Sequence, residues 1–156
     1  FTSTAVPQEC VGGAFLLTLH PHLRHYLGGT GTQPCTATGS SGTWNAFNDA
    51  TAGWQEALSM VDKHGAGVVI SVNGQVPDGE DLSWLWDVNF EHFVNHPVVA
   101  AGERGTDLAV RLGYAGVGHT LVHDTGKAVA SCPPGHVEVI ANYTAFLQLS
   151  RVLHRA

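Results

Sequence analysis

Positive charge is scarce in this chain. Seven Lys and Arg stand against thirteen Asp and Glu in 156 residues, a formal net charge of −6. Phosphate contacts dominate nucleic-acid affinity, so a chain this poor in cations is not expected to hold a nucleic acid. Charge of either sign is low, at 13%, and apolar residues reach 44%, which excludes an intrinsically disordered chain. Long apolar runs are missing as well. The longest, Ala14-Phe-Leu-Leu-Thr-Leu19, is too short to span a bilayer, and it lacks the length and basic flank of a signal-peptide core. Cysteine is too rare for a disulfide framework. Cys10, Cys35 and Cys132 are an odd, widely spaced set that fits a reducing compartment and leaves room for at most one bridge. The phosphate-cradling signatures Gly-x-Gly-x-x-Gly and Gly-x-x-x-x-Gly-Lys-Ser/Thr are absent, so the chain is expected to carry neither dinucleotide nor P-loop chemistry of its own. Nor is there a Gly-x-Ser-x-Gly elbow of the kind that marks a hydrolase.

What is present suits one domain with a real core. Residues 1–43 read as irregular, because Gly, Thr, Ser and Pro dominate from Gly28 to Thr43 without a period of 2 or 3.6. Residues 44–156 read as an α/β domain. A first helix is expected from Trp44 to about Lys63, with Trp54, Leu58 and Val61 on one stripe. Strands are expected near 67–73, 97–101, 119–122 and 136–141, with helices between and after them. Val68–Val72 is apolar on consecutive residues, as in a parallel strand covered on both faces. Thr106 is expected to cap the third-quarter helix, and Asn142 the last one. A short helix is expected over Val88–Val94 with Phe90 and Phe93 inward. This alternation predicts a Rossmann-like parallel sheet with right-handed crossovers.

The chemistry is concentrated in Val76–Glu91, which holds Asp78, Glu80, Asp81, Asp87 and Glu91, together with Trp84 and Trp86. Gly74, Pro77 and Gly79 break regular structure just past a buried strand. Open α/β sheets place ligands at that end of their strands. The same pattern also describes a plain surface turn with solvated acids and two aromatics pinning it to the core. Arg104, in a loop at a strand's end, is a possible contact for an anionic substrate, whereas Arg111, in mid-helix, reads as a surface or ion-paired residue. His92, His96, His119, His123 and His136 show no metal-ligand spacing, and His20, His22 and His25, which lie between Cys10 and Cys35 and could in principle join them around a tetrahedral zinc, match no finger spacing.

Four segments, in this order and spacing, resemble the C-terminal domain of the MurT family, the Mur-ligase-like subunits of lipid II isoglutaminyl synthase. They are Ala52-Gly-Trp-Gln-Glu-Ala-Leu58, Asp78-Gly-Glu-Asp-Leu-Ser-Trp-Leu-Trp-Asp-Val-Asn-Phe-Glu91, Gly102-Glu-Arg-Gly-Thr-Asp-Leu-Ala-Val-Arg-Leu-Gly-Tyr-Ala-Gly-Val117 and Asn142-Tyr-Thr-Ala-Phe-Leu147. Upstream, Gly42–Ala52 resembles the Gly-x-x-Asn-x-x-Asn helix that closes the central domain of Mur ligases, and Cys10 and Cys35 resemble two of the four cysteines of an inserted zinc ribbon. The chain departs from the family in lacking the ATP-binding P-loop and the long stretch before the C-terminal domain.

The resemblance implies a cytoplasmic peptidoglycan ligase complex that amidates the D-glutamate α-carboxyl of the lipid II stem peptide. ATP and Mg would serve the complete complex, while this chain alone is expected to bind neither tightly and to be inactive by itself. The implied partner is a GatD-like glutaminase, which releases ammonia from glutamine with a cysteine and a histidine. Asp81, of the Asp-x-Ser-Trp motif, is the residue the resemblance places beside that pair, to orient the imidazole and favour its cationic form. Asp78, Ser83, Trp84, Trp86 and Asp87 then support the loop or form the interface. Two other readings stay open: a binding module that kept the fold and docking surface without catalysis, and an unrelated small α/β enzyme using the loop acids for metal or acid–base work. With two ribbon ligands missing, Cys10 and Cys35 are expected to hold no structural zinc, and elemental analysis of the purified chain should find less than stoichiometric metal.

Overall fold

A computed structural model describes residues 13–19, 42–47 and 50–155. Six strands form one sheet: β1 (Ala14–Leu19), β2 (Gly42–Phe47), β3 (Gly67–Ser71), β4 (Val98–Ala101), β5 (His119–Leu121) and β6 (Val137–Ala141), in the spatial order β2-β1-β6-β3-β4-β5. The four strands expected from the sequence pair in parallel, β6 with β3, β3 with β4 and β4 with β5. Their β-branched runs explain the choice, because Val, Ile and Thr pack well on a pleated surface. In β3, Val68 and Ile70 enter one core and Val69 the other, so consecutive residues are buried on alternate faces.

The irregular arm expected over 1–43 does not hold for Ala14–Leu19. This run is a strand, antiparallel to both β6 and β2, from Phe15 opposite Ala141 to Leu19 opposite Val137. Ala14 and Leu16 are buried on one face of the sheet, Phe15, Leu17 and Leu19 on the other. A strand covered on both faces shows no period of 2, and its partner β6 lies more than a hundred residues on, so nothing local announces it. The sheet is therefore mixed rather than wholly parallel. The expected helix start at Trp44 is also corrected. Gly42–Phe47 is β2, and α1 runs over Ala50–Met60. Pairing with β1 overrides the helical pattern there, so the likeness of Gly42–Ala52 to a closing helix does not extend to its conformation.

Helices cover both faces. On one, α1 contributes Trp54, Ala57 and Leu58, with Val61 just past its end, and α2 (Gly105–Tyr114) contributes Leu108 and Leu112. On the other, α3 (Thr125–Ala130) contributes Ala128 and Val129, and α4 (Tyr143–Arg155) contributes Ala145, Phe146 and Leu149. Asp124 caps α3 by accepting from the Lys127 N–H at 2.9 Å. Thr106 does not cap α2, which starts one residue earlier at Gly105 with Arg104 in the cap position and no side-chain bond. The helix expected over Val88–Val94 is instead part of a series of short 3₁₀ turns, Val76–Asp78, Ser83–Trp86 and Phe90–Phe93. Phe90 and Phe93 are inward as expected, both fully buried. Among the described residues no helix is long and apolar enough to cross a membrane.

A carboxyl side chain sits inside the sheet. Glu138 is 3% exposed, in register between Thr18 of β1 and Val68 of β3. Burial raises its carboxyl pKa, offset in part by the Thr18 hydroxyl and by His136. A carboxyl with a raised folded pKa leaves stability intact at low pH. The loss begins as pH climbs from the ordinary carboxylate value and is complete above the raised one. Glu138→Gln is thus expected to raise Tm by roughly a few degrees near neutral pH and to change little near about pH 4, as thermal unfolding at the two pH values would show.

Candidate functional site

The candidate site is built where β3 and β6 end side by side. Asn73 and Asn142, one just past each strand, are zipped together. The Asn73 N–H donates to Asn142 Oδ1 at 3.0 Å, and Asn142 Nδ2 donates to the Asn73 carbonyl at 2.6 Å. Asn73 Nδ2 donates further to Thr144 Oγ1 and Gln148 Oε1, and its Oδ1 accepts from the Glu103 N–H at 2.9 Å. Both asparagines are buried, and this network leaves neither amide unsatisfied. Asn142 therefore does not cap α4 with its side chain as expected, since the amide is committed across the sheet to Asn73.

That cap comes from the loop. Asp78 Oδ1 accepts from the Thr144 N–H at 2.8 Å, its Oδ2 accepts from the Thr144 hydroxyl, and the Gln75 N–H donates to the same oxygen at 3.2 Å. Thr144 is the second residue of α4, so a carboxylate sits at the positive end of that helix. The loop is tied down at its start by an acid that is half-buried and structural.

Asp81 is different. It is exposed, and its Oδ1 accepts from the Ser83 N–H at 2.8 Å. That backbone bond, assisted by the Ser83 side chain, lowers its pKa below the usual carboxylate value, so the group is ionised at neutral pH. Trp84 and Trp86 then separate in the 3₁₀ turn Ser83–Trp86. Trp84 packs on buried Trp54 with ring centroids 4.9 Å apart. Trp86 is 54% exposed and meets Tyr114 of α2 edge-on at 5.4 Å. Asp87, also exposed, has no side-chain hydrogen bond among the described residues.

Arg111 is ion-paired, but it is not a surface residue: only 6% of it is exposed. Its Nε donates to the Leu85 carbonyl and its Nη2 to the Val88 carbonyl, both at 2.8 Å. Nη1 and Nη2 fork onto the two oxygens of Glu91 at 3.2 and 3.3 Å. The guanidinium carbon lies 5.5 Å from the Trp86 ring centre and 5.4 Å from that of Phe90. Glu91 keeps its charge more readily for it, its pKa lowered chiefly by the Arg111 bonds. A signal for this was available in the sequence. Arg111 falls on the same helical stripe as Leu108, Leu112 and Ala115, a position that faces the core. Arg104, by contrast, is half-exposed, and its Nε donates to Asp107 at 2.7 Å. Its stem lies against Gly74 at the start of the loop. Cys10 and Cys35 lie outside the described residues.

A cleft of about 300 Å³ opens beside this edge, lined by Glu103, His123, Asp124, Thr125, Gln148 and Val152 among others. A larger cavity of about 720 Å³ lies at the opposite, N-terminal ends of β3, β4 and β5, away from the acidic loop. No group of three or more His, Cys, Asp or Glu among the described residues is placed to hold a metal ion.

Fold and site together define a class, an α/β domain of the Mur ligase C-terminal type with its polar loops gathered at the strand ends. Residues 50–146 match the family model described as MurT ligase C-terminal, and the chain belongs to that family. The chain is 32% identical to the lipid II isoglutaminyl synthase (glutamine-hydrolyzing) subunit MurT of Staphylococcus aureus, over 56% of this chain and 22% of that protein. It is 28% identical to the MurT subunit of Streptococcus pneumoniae, over 54% of this chain and 21% of that protein. The matches thus span about a fifth of the length of these curated relatives.

The Asp78 cap makes a prediction independent of any activity. Asp78→Ala removes one helix cap and one turn bond, and should cost about 1–2 kcal/mol of stability in urea unfolding. Faster exchange of the Thr144 amide proton should accompany it.

Proposed function

We propose that this chain acts in a lipid II isoglutaminyl synthase, as the domain on which a GatD-like glutaminase docks, with Asp81 completing that partner's cysteine–histidine pair. The carrying observation is the contrast between the two loop carboxylates. Asp78 is consumed by the fold, while Asp81 is ionised, exposed and held by its turn bond to Ser83 beside an exposed tryptophan. A carboxylate that must orient an imidazole on another chain has to be charged, outward and fixed, and Asp81 is all three. Trp86 supplies the aromatic anchor that interfaces favour.

In this reading the ammonia released from glutamine amidates the D-glutamate α-carboxyl of the lipid II stem peptide. ATP and Mg activate that carboxyl in the complete cytoplasmic complex, on a part of the enzyme other than residues 50–146. The relatives, which are glutamine-hydrolyzing synthase subunits, support the general role.

The residue assignment is tested by glutamate release from glutamine in the reconstituted complex. Losing the orienting carboxylate of a triad costs up to about 10⁴-fold. A thiol needs less activation than a hydroxyl, so Asp81→Asn should cost on the order of 10²-fold while the complex still forms. Asp87→Asn should stay near wild type. Full activity in Asp81→Asn would remove the role, and loss confined to Asp87→Asn would move it to the neighbouring acid.

A further inference from the structure

The loop's acids and tryptophans are carried by very little regular structure. Between β3 and β4 there are only three 3₁₀ turns of three or four residues each. Such turns have poor hydrogen-bond geometry and do not hold a shape alone. One side chain from outside the loop grips it at three places. Arg111 bonds the last turns of the Trp-bearing segment at Leu85 and Val88 and the Phe-bearing segment at Glu91, using Nε, Nη1 and Nη2. The same guanidinium lies against the Trp86 and Phe90 rings. Trp86 in turn rests on Tyr114, one helical turn along α2 from Arg111, and Tyr114 is 79% exposed.

We propose that Arg111 is a positioning residue that sets the pose of the Asp81–Trp86 turn, and that Trp86 and Tyr114 together with Val110 form one continuous docking surface on its outer side. Val110 is 50% exposed and lies four residues before Tyr114 on α2. The occupant is the glutaminase subunit, so the inference rests on the function proposed above. The surface is apolar at its centre, and Asp81 and Asp87, exposed on either side of the Ser83–Trp86 turn, carry no ion pair among the described residues, so the partner's matching face should carry Lys or Arg beside an apolar pocket. Lysine cannot replace the fork. Its ammonium reaches one of the acceptors with no planar face for the rings, so Arg111→Lys keeps the charge and loses the grip.

The test uses the full chain below its unfolding temperature. Arg111→Lys should keep wild-type far-ultraviolet circular dichroism, while the Trp86 indole N–H resonance, assigned with Trp86→Phe, shifts and broadens. With the glutaminase at saturation, turnover should fall on the order of 10-fold, since a small misplacement of a reacting group is costly. A purely structural arginine would lower Tm and leave both the indole line and saturated turnover unchanged, which would overturn the inference. Should Arg111→Lys not fold, Glu91→Gln, which removes only a half-exposed partner, serves instead with a smaller shift in the same direction. Tyr114→Ala should weaken complex formation about 10-fold or more at unchanged saturated turnover, and unchanged affinity would remove the α2 face from the surface. Asp81→Asn run in parallel separates the two ideas. If it is fully active the functional reading falls, whereas an inactive Asp81→Asn beside a fully active Arg111→Lys sinks this inference alone.

Discussion

A buried guanidinium set against two aromatic rings is the constraint on which the working end of this domain depends. Arg111 would be costly to bury unsatisfied, and its placement only makes sense because two carbonyls and a carboxylate converge on it. The dependence is mutual. The loop gains a shape it could not hold from 3₁₀ turns alone, and the helix gains partners for a charge on its core-facing stripe. Because all three kinds of nitrogen are engaged, the pose is fixed in rotation as well as in distance.

Behind that grip stands the Asn73–Asn142 pair. It locks the ends of β3 and β6 to one another, and through Thr144 it positions the helix start that Asp78 caps. Loop residues 74–91 are thus fastened at the front to α4 and at the back to α2, which lie on opposite faces of the sheet. Between the two fastenings Asp81 and Trp86 project outward, and neither is needed by the core. Division of labour among neighbouring acids follows from this geometry rather than from the acids themselves.

Much of this was legible from the residues. The four parallel strands followed from β-branched runs between helical stripes, and the acidic loop from glycines and a proline after a buried strand. Trp84 turns inward and Trp86 outward across a 3₁₀ turn, a split that the two residue types by themselves did not assign. Less was legible where the controlling partner lies far along the chain. Ala14–Leu19 carries no period because both its faces are covered, and Gly42–Phe47 is a strand only because β1 lies beside it. Asn142 looked like a helix cap by sequence neighbourhood, yet its amide is satisfied by a residue sixty-nine positions away. Arg111 stood on the apolar stripe in plain view, but a cation at such a position gives no hint of which carbonyls will meet it.

The sheet order also bears on how the domain is made. Among the described residues β6 is the strand that joins the antiparallel pair β1–β2 to the parallel set β3–β4–β5 in the sheet, and it arrives after all of them in the chain. During synthesis β1 and β2 can meet early as a hairpin, and the parallel strands can gather with α1 and α2, but no strand of one half pairs with a strand of the other until residues 137–141 emerge. Until then the flanks of β1 and β3 that will receive β6 are open edges, the kind of surface that invites wrong pairing. A chain whose residues 137–141 have yet to emerge is therefore at its most aggregation-prone.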